Sequence, residues 1–193
     1  MSESDQKTVP PTADGIAAAV TKVAKGQGPA PVHLWNPPFC GDLDMRIARD
    51  GTWFYLGTPI GRKRLVKLFS TILRKDGDEY FLVTPVEKVG IKVDDAPFVA
   101  VDFDLEDGVL TFTTNVGETF QAGPENPIRV VLNPDTGEPS PYVLVRTNLE
   151  ALIDRKSFYR LVDQGVTGTV DGVDWFGIWS SGVFFPFIPM SDL

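Results

Sequence analysis

Cysteine and histidine are almost absent from this chain of 193 residues, which contains one of each, Cys40 and His33. A disulfide framework needs paired cysteines and a structural zinc site needs several Cys or His ligands, so the sequence excludes both. His33 lies in a proline-rich segment with no second His or Cys partner, which argues against a histidine-based catalytic triad. We therefore expect no metal and no cofactor, and we interpret Cys40 as a small buried hydrophobe.

A long apolar run and an excess of basic residues are also missing. The uncharged stretch from Trp175 to Ser191 is interrupted by glycine and proline, so it is too broken for a membrane-spanning helix. The chain has 18 Lys and Arg against 26 Asp and Glu, a net charge of −8 that repels a phosphate backbone. We expect no membrane insertion and no general nucleic-acid binding. The first 15 residues do not resemble a signal peptide, which predicts a cytoplasmic protein.

Residues 1–30 are predicted to form an arm with one short helix. The composition of residues 1–11 is typical of a disordered segment, after which Thr12 is a suitable N-cap for a helix that ends at Gly26. A proline-rich linker follows this helix. We interpret its aromatic residues Trp35 and Phe39 as anchors that hold the linker against the core.

The rest of the chain has the composition of a folded protein, with 42% apolar and 23% charged residues. Its pattern predicts an α+β fold made mainly of antiparallel strands. Residues 45–57 and 78–114 carry strand patterns separated by turn residues. Between them, the strongest helical pattern predicts a helix with Thr58 as N-cap and Pro59 at its first position, ending at Asp76.

An internal similarity relates the two halves of the chain. Residues 60–69 align with residues 153–162, and each segment follows a hairpin-like stretch and precedes a glycine and an aromatic strand. Chance similarity of amphipathic helices is the alternative explanation. We interpret the pattern as two tandem related domains, 31–106 and 107–193, each with one principal helix. A T-x-x-E capping box in 147–154 predicts an additional short helix or bend in the second domain.

Two segments also carry a family resemblance: HLWNPPFCGDLDMRIARDGTWFYLGTPIGRKRLVKLFSTIL (33–73) and YFLVTPVEKVGIKV (80–93). They resemble domain-of-unknown-function family 1285, a proteobacterial family without an established activity. The resemblance implies a tandem duplication whose C-terminal half is similar to pleckstrin-homology folds. It also implies a nucleotide-like ligand between the two domains and a role in signal transduction.

The charge is distributed unevenly: residues 31–75 sum to +5 and residues 76–130 to −9. Helical spacing places Arg62 on the same apolar helix face as Phe69, and it places Arg155 on the same helix face as Val162. A buried arginine in the first turn of a helix needs an anion nearby. That anion is either an internal carboxylate or a ligand phosphate or carboxylate. The internal candidates are Asp42, Asp44, Glu87 and Asp154.

The ligand hypothesis places a small anion in a cleft between the two domains, where aromatic rings stack on its base or ring. The candidate ligand-binding residues are Arg62, Arg64, Arg155, Lys156, Tyr80, Tyr159, Trp179 and Glu87.

Three functions remain open at this point. The preferred one is a non-catalytic module that binds or senses a nucleotide-like anion. The main alternative is a protein-interaction module without a small ligand, for which a signalling protein is the expected partner. A Mg²⁺-dependent phosphohydrolase using the pairs Asp42/Asp44 or Asp102/Asp104 is the third, because two carboxylates on one strand face can hold a divalent cation. The residues favour a non-catalytic protein over an enzyme.

Overall fold

A computed structural model describes residues 9–24, 26 and 28–193. These residues form three α-helices, two short 3₁₀ helices and fifteen β-strands, so the described part of the chain is mostly β. It divides into two compact units. The first comprises the described residues up to Ile47 together with Thr52–Val93, and the second comprises Ala48–Gly51 and Asp94–Leu193. The disorder predicted for residues 1–11 falls mainly on residues 1–8, which lie outside the described residues.

The first unit contains two helices and one six-stranded sheet. Its elements are α1 (Ala13–Val23), a 3₁₀ turn (Val32–Leu34), β1 (Phe39–Ile47), β2 (Trp53–Tyr55), β3 (Thr58–Pro59), α2 (Lys63–Ser70), β4 (Leu73–Asp76), β5 (Glu79–Val83) and β6 (Lys88–Val93). The sheet order is β3-β2-β1-β6-β5-β4. The central strands β1 and β6 are parallel and the other neighbours are antiparallel.

Helix α1 confirms the predicted helix with Thr12 as N-cap, but it ends at Val23 and not at Gly26. The side-chain oxygen of Thr12 accepts a hydrogen bond from the backbone N–H of Gly15 at 3.1 Å, which caps the helix. Ile16 and Val20 are spaced by four residues, so they share one helix face, and both are fully buried. The apolar spacing in the sequence thus fixes which face of α1 packs against the first unit.

Helix α2 differs from its prediction at both ends. Thr58–Pro59 does not begin the helix but forms the edge strand β3, where a proline costs no sheet hydrogen bond. The helix spans Lys63–Ser70, and Arg62 is its N-cap. Residues Leu73–Asp76 form β4 instead of a last helical turn, because they pair with β5. The predicted helix was therefore too long, and the pairing of the flanking strands explains the difference.

The proline-rich linker is held to the first unit by Arg74 on β4. The Arg74 guanidinium donates hydrogen bonds to the backbone carbonyls of Val32 at 3.1 Å and Trp35 at 2.8 Å. Phe39 is 57% exposed, but its ring meets the buried Phe81 edge-on, so the predicted contact with the core is present without burial of Phe39. Backbone carbonyls of the linker, which no side-chain pattern indicates, provide the attachment. Cys40 is half-buried, which corrects the fully buried interpretation.

The second unit contains one helix and two sheets. Its elements are β7 (Phe98–Glu106), β8 (Val109–Thr114), β9 (Thr119–Gln121), β10 (Ile128–Leu132), β11 (Pro139–Arg146), β12 (Leu149–Ile153), α3 (Arg155–Asp163), β13 (Val166–Val170), β14 (Val173–Ser180), β15 (Val183–Pro189) and a C-terminal 3₁₀ turn (Met190–Asp192). The six-stranded sheet has the order β10-β11-β12-β7-β8-β9, and the three-stranded sheet has the order β13-β14-β15.

The two six-stranded sheets have the same topology. When the strands of each unit are numbered from one to six, both sheets follow the order 3-2-1-6-5-4, with the first and sixth strands parallel at the centre. The principal helix is placed differently: α2 lies between the third and fourth strands of its unit, whereas α3 follows the sixth. The fold is thus two tandem sheet-rich units, and a curled, half-barrel-like sheet is consistent with the pleckstrin-homology-like fold expected for the C-terminal unit.

The predicted short helix in residues 147–154 is a strand, β12. Leu149, Ala151 and Ile153 alternate along it and are almost fully buried, and the strand pairs with β11 and β7. Thr147 has φ 52°, so it occupies a turn and does not cap a helix. β7 belongs to the second sheet, and the division between the units therefore lies one strand before the boundary predicted after residue 106.

Candidate functional site

A pocket of about 630 Å³ opens in the first unit between α1, the linker and α2. Among the described residues, its walls are mainly apolar or backbone, and the two charged side chains that line it are both basic. The lining residues are Val20, Val23, Ala24, Gly26, Gly28, Pro29, Ala30, Pro31, Arg64, Lys67, Leu68 and Thr71. The volume is in the range of pockets that enclose small organic ligands.

The structure of α2 explains why these cations reach the pocket. Phe69 and Ser70 form the buried face of the helix. Arg64, Lys67 and Leu68 are spaced by three and four residues, so they lie on one stripe of its surface. Within residues 9–24, 26 and 28–193, no carboxylate lies at ion-pair distance from Arg64 or Lys67. The described wall of the pocket therefore carries two positive charges without a protein counter-ion.

The same stretch of chain anchors the linker wall. The backbone N–H of Ala30 donates to the carbonyl of Thr71 at 2.9 Å, and the Thr71 hydroxyl donates to the carbonyl of Leu68 at 2.6 Å. These bonds connect the linker to the C-terminal end of α2. The linker, which contributes apolar walls, and α2, which carries the two basic residues, are thus joined by a hydrogen bond next to the pocket.

Arg62 is placed differently from its prediction. It is the N-cap of α2 with an extended backbone, and it is exposed. The prediction that it lies on the apolar face with Phe69 is wrong, because the helical periodicity starts only after it. Tyr80 lies on β5, where Lys75 approaches its ring at 5.4 Å, and Glu87 lies in the β5–β6 turn. Of the four candidates in the first unit, only Arg64 lines the pocket.

A groove of about 330 Å³ lies in the second unit beside the start of α3. It brings together two of the candidates, Arg155 and Tyr159. Its lining residues are Arg49, Asn133, Glu138, Pro139, Ser140, Pro141, Leu152, Ile153, Asp154, Arg155, Phe158 and Tyr159. Asp154 caps α3, since its carboxylate accepts a hydrogen bond from the N–H of Ser157 at 2.8 Å.

The cations of this groove already have partners. Arg155 donates to the Glu138 carboxylate at 3.0 Å, and Arg49 lies 3.3 Å from the carboxylate of Asp95. Arg49 also donates to the hydroxyl of Ser140 at 3.0 Å. An anionic ligand would have to compete with these carboxylates, so the groove is less suited to a small anion than the pocket of the first unit.

Arg155 is mostly exposed, which contradicts the buried position predicted for it. The buried face of α3 consists of Ser157, Phe158 and Leu161, and Val162 lies outside it. The internal ion pair expected as one alternative does form, but its carboxylate is Glu138 and not Asp154. Asp154 instead satisfies the backbone at the helix end, a role that its position immediately before the helix indicates.

The remaining candidates of the second unit lie on different surfaces. Lys156 is exposed on α3. Trp179 lies on β14, is 51% exposed, and packs against Phe184 with ring centroids 5.4 Å apart. Tyr159 is 61% exposed.

The acidic pairs are partly engaged by other groups. Asp102 forms an ion pair with Arg160, and the hydrogen bonds from Arg160 and from the N–H of Phe103 lower the pKa of Asp102. Asp42 lies over the Cα of Gly90, where a Cβ would stand 2.2 Å from its carboxylate oxygen. In the part of the chain that the structure describes, no group of three or more His, Cys, Asp or Glu side chains is placed to hold a metal ion.

Family models match most of the chain, from the linker that follows α1 into β15. Residues 30–96 match the N-terminal domain, and residues 97–187 the C-terminal domain, of a protein of unknown function, DUF1285. The chain belongs to the DUF1285 family. No curated protein matches it. No helix among the described residues is long and apolar enough to cross a membrane.

Two DUF1285 family proteins of known crystal structure are similar to this chain. The protein from Silicibacter pomeroyi DSS-3 is 62% identical over 94% of this chain and 98% of its own, with a TM-score of 0.83. The protein from Shewanella baltica OS155 is 32% identical over 63% of this chain and 91% of its own, with a TM-score of 0.51. The proteobacterial origin, the cytoplasmic location and the signalling role stay predictions.

Sequence reasoning missed Lys67 as a candidate. Helical spacing predicts that this residue faces solvent together with Lys63 and Arg64, and all three residues are exposed, but Arg64 and Lys67 also line the pocket beside the linker. The signal that was available is the three-residue spacing of these two cations beside Leu68. The linker wall that completes the pocket had no comparable signal.

Proposed function

We propose that this DUF1285 protein is a non-catalytic module that binds a small, nucleotide-like organic anion, and that the pocket between α1 and α2 is its binding site. The observation that carries the proposal is the pairing of Arg64 and Lys67 with apolar walls in a pocket whose described lining contains no carboxylate. The ligand would supply the missing counter-charge. Its apolar ring would occupy the side formed by Val23 and Pro29.

The two cations suit different parts of an anionic group. A guanidinium presents several N–H donors in a plane, so Arg64 can donate two hydrogen bonds to one phosphate or carboxylate. The Lys67 ammonium acts as a compact point charge on a flexible stem. Valine, alanine and proline side chains would contact a base or ring by apolar packing, since the lining residues that the structure describes include no aromatic ring for stacking.

The resemblance to the family also implied a ligand held between the domains. In that version Arg155, Lys156, Tyr159 and Trp179 contribute to binding together with Arg62, Arg64, Tyr80 and Glu87. A sensor role in signal transduction belongs to the same hypothesis. The two versions share the ligand chemistry and differ in the residues whose replacement weakens binding.

The test is calorimetric titration of the full chain with purine and pyrimidine mononucleotides, cyclic nucleotides and inorganic phosphate. Arg64→Gln is expected to weaken a bound nucleotide by about tenfold, roughly 1.4 kcal/mol. Lys63→Gln is the matched control, because Lys63 lies on the same helix, is exposed and does not line the pocket. The affinity of the Lys63 variant should stay within about twofold of the parent, since an exposed charge outside the pocket is screened by salt.

Three outcomes would overturn the proposal: no nucleotide binds at millimolar concentration, the Lys63 variant loses as much affinity as the Arg64 variant, or Arg64→Gln binds normally. Arg155→Gln separates the two placements of the ligand. Unchanged affinity in this variant supports the pocket of the first unit, and a loss as large as that of Arg64→Gln supports the version with the ligand between the domains. Thermal unfolding of each variant confirms that it is folded.

A further inference from the structure

The three sheets end in six edge strands, and β13 differs from the other five. β3 has two residues and contains Pro59, β4 carries Arg74, Lys75 and Asp76, and β9 has three residues. β10 and β15 lie against each other. Short length, proline, charge and coverage are the usual ways in which an edge strand is kept from pairing with another chain.

β13 has none of these protections in the described structure. Its sequence is Val166-Thr-Gly-Thr-Val170, five residues without a charge or a proline. Its only ladder partner among the described residues is β14, so its outer side offers unpaired backbone groups. Val166 is 45% exposed. Such an edge is a template onto which an extended peptide can add as a further strand.

An apolar sheet face continues from this edge. Residues alternate along β14, so Trp175, Gly177 and Trp179 share one face, while Ile178 and Ser180 are buried on the other. Phe184 stands opposite Trp179 on β15 and belongs to the same face. Trp179 and Val173 are each about half exposed, at 51% and 48%.

Two glycines shape this face. A Cβ at Gly168 would lie 2.7 Å from the Phe184 ring, and a Cβ at Gly177 would lie 2.9 Å from it. The ring of Phe184 therefore lies over both β13 and β14, in the space that the missing side chains leave. Side chains of an added strand would meet this ring and the exposed Val166 of β13.

The net charge of the second unit favours a partner protein over a second copy of this chain as the occupant of the edge. The second unit has 6 basic and 17 acidic residues, a net charge of −11. Exposed acidic residues flank the edge strand at both ends, Asp163 before it and Asp171 after it. Two copies of this unit would repel each other, whereas a basic segment would be attracted.

We propose that β13 and the adjoining aromatic face form a docking site for an extended basic peptide of a partner protein. The peptide adds as a strand beside β13, its apolar residues pack over Gly168 and Phe184, and its basic residues lie near Asp163 and Asp171. This site is independent of the pocket between α1 and α2, so either proposal can fail without the other.

The test uses a nine-residue peptide in which valine or phenylalanine alternates with lysine. Hydrogen exchange of the full chain measures whether the amides of residues 166–170 become protected, and calorimetry measures the affinity. A peptide with glutamate in place of lysine is the charge control, and a peptide of the same composition without alternation is the pattern control. We expect protection of β13 and at least about tenfold weaker binding of both control peptides, a difference of roughly 1.4 kcal/mol or more.

A matched pair of variants locates the site. Val166→Lys places a repelling charge on the edge and should weaken peptide binding about tenfold, again roughly 1.4 kcal/mol. Val131→Lys is the control, because Val131 on β10 is 44% exposed and thus comparable in burial. Both positions are exposed, so folding should be retained, and thermal unfolding checks it.

Four results would overturn the proposal: no binding of the basic peptide, equal binding of the glutamate peptide, binding without protection of residues 166–170, or equal losses in the two variants. Analytical ultracentrifugation tests whether a second copy of the chain occupies this edge instead of a peptide. A dimer of the full chain that Val166→Lys dissociates would assign this edge to a second copy and would also overturn the proposal.

Discussion

The hydroxyl of Ser180 on β14 accepts a hydrogen bond from the backbone N–H of Leu110 on β8 at 2.9 Å. The same hydroxyl donates to the carbonyl of Ala122 at 2.7 Å. Ser180 is fully buried, and so is Leu110. One small side chain therefore joins the three-stranded sheet of the second unit to its six-stranded sheet.

Replacement of Ser180 by alanine leaves the Leu110 N–H buried without an acceptor. The carbonyl of Ala122 keeps a second donor, the hydroxyl of Ser181 at 2.8 Å. We expect Ser180→Ala to lower the free energy of unfolding by about 1–3 kcal/mol, the usual penalty for one orphaned buried polar group. Urea denaturation followed by fluorescence measures this, and Ser191→Ala at an exposed position is the control. An equal stability of the two variants would contradict the assignment.

Gly177 on β14 is predicted to be intolerant of a side chain. A Cβ there would lie 2.2 Å from the carbonyl oxygen of Phe185, and a backbone atom cannot move aside as a side-chain end can. We expect Gly177→Ala to destabilise the protein by about 1–3 kcal/mol through overpacking. Gly61→Ala is the matched control, because no atom lies within 4 Å of its added Cβ. If both variants unfold at the same urea concentration, that result would contradict the close packing of β14 against β15 at Gly177.

The strands could be predicted from the sequence better than the helix ends or the site. Alternating residues indicate β8, which buries every second residue, whereas apolar runs indicate β6 and β7, which each bury three consecutive residues. The start of α2 was misplaced because Thr58–Pro59 is an equally good helix start and edge strand by composition. Only the pairing with β2, a contact outside the local pattern, decides between them.

The candidate site depends even more on contacts between distant residues. The pairing of Arg155 with Glu138 joins a helix to a loop that precedes it by 17 residues, and no spacing rule connects them. The attachment of the linker through Arg74 uses backbone carbonyls, which every residue has. In contrast, the roles of Thr12 and Asp154 as caps depend on neighbours within three residues, so sequence is sufficient to indicate them.

Asp154 should stabilise α3 mainly through its cap. Asp154→Ala removes the carboxylate that accepts the hydrogen bond from the N–H of Ser157. We expect this loss to lower the free energy of unfolding by about 0.5–2 kcal/mol. Asp154→Asn retains a capping oxygen and should recover most of the stability. Chemical denaturation of the three proteins measures the series. A similar loss in the asparagine and alanine variants would assign the effect to the negative charge and not to the hydrogen bond.

Tyr142 on β11 should give the protein a distinct response to alkaline pH. Its burial, together with a hydrogen bond from its hydroxyl to the carboxylate of Asp95 at 2.7 Å, raises the pKa of Tyr142 to about 12. An unfolded tyrosine ionises near pH 10. The stabilising contribution is therefore complete below about pH 10 and is lost as the pH rises towards 12, because only the unfolded state releases its proton in that window.

Ultraviolet titration of the four tyrosines should resolve one that ionises near pH 12, and Tyr142→Phe should remove that step. Asp95→Asn keeps the size of the side chain and removes its negative charge. We expect this variant to lower the pKa of Tyr142 only part of the way towards its ordinary value, since burial is the larger cause and remains. A full return to the ordinary value would show that the carboxylate, and not burial, governs the titration of this residue.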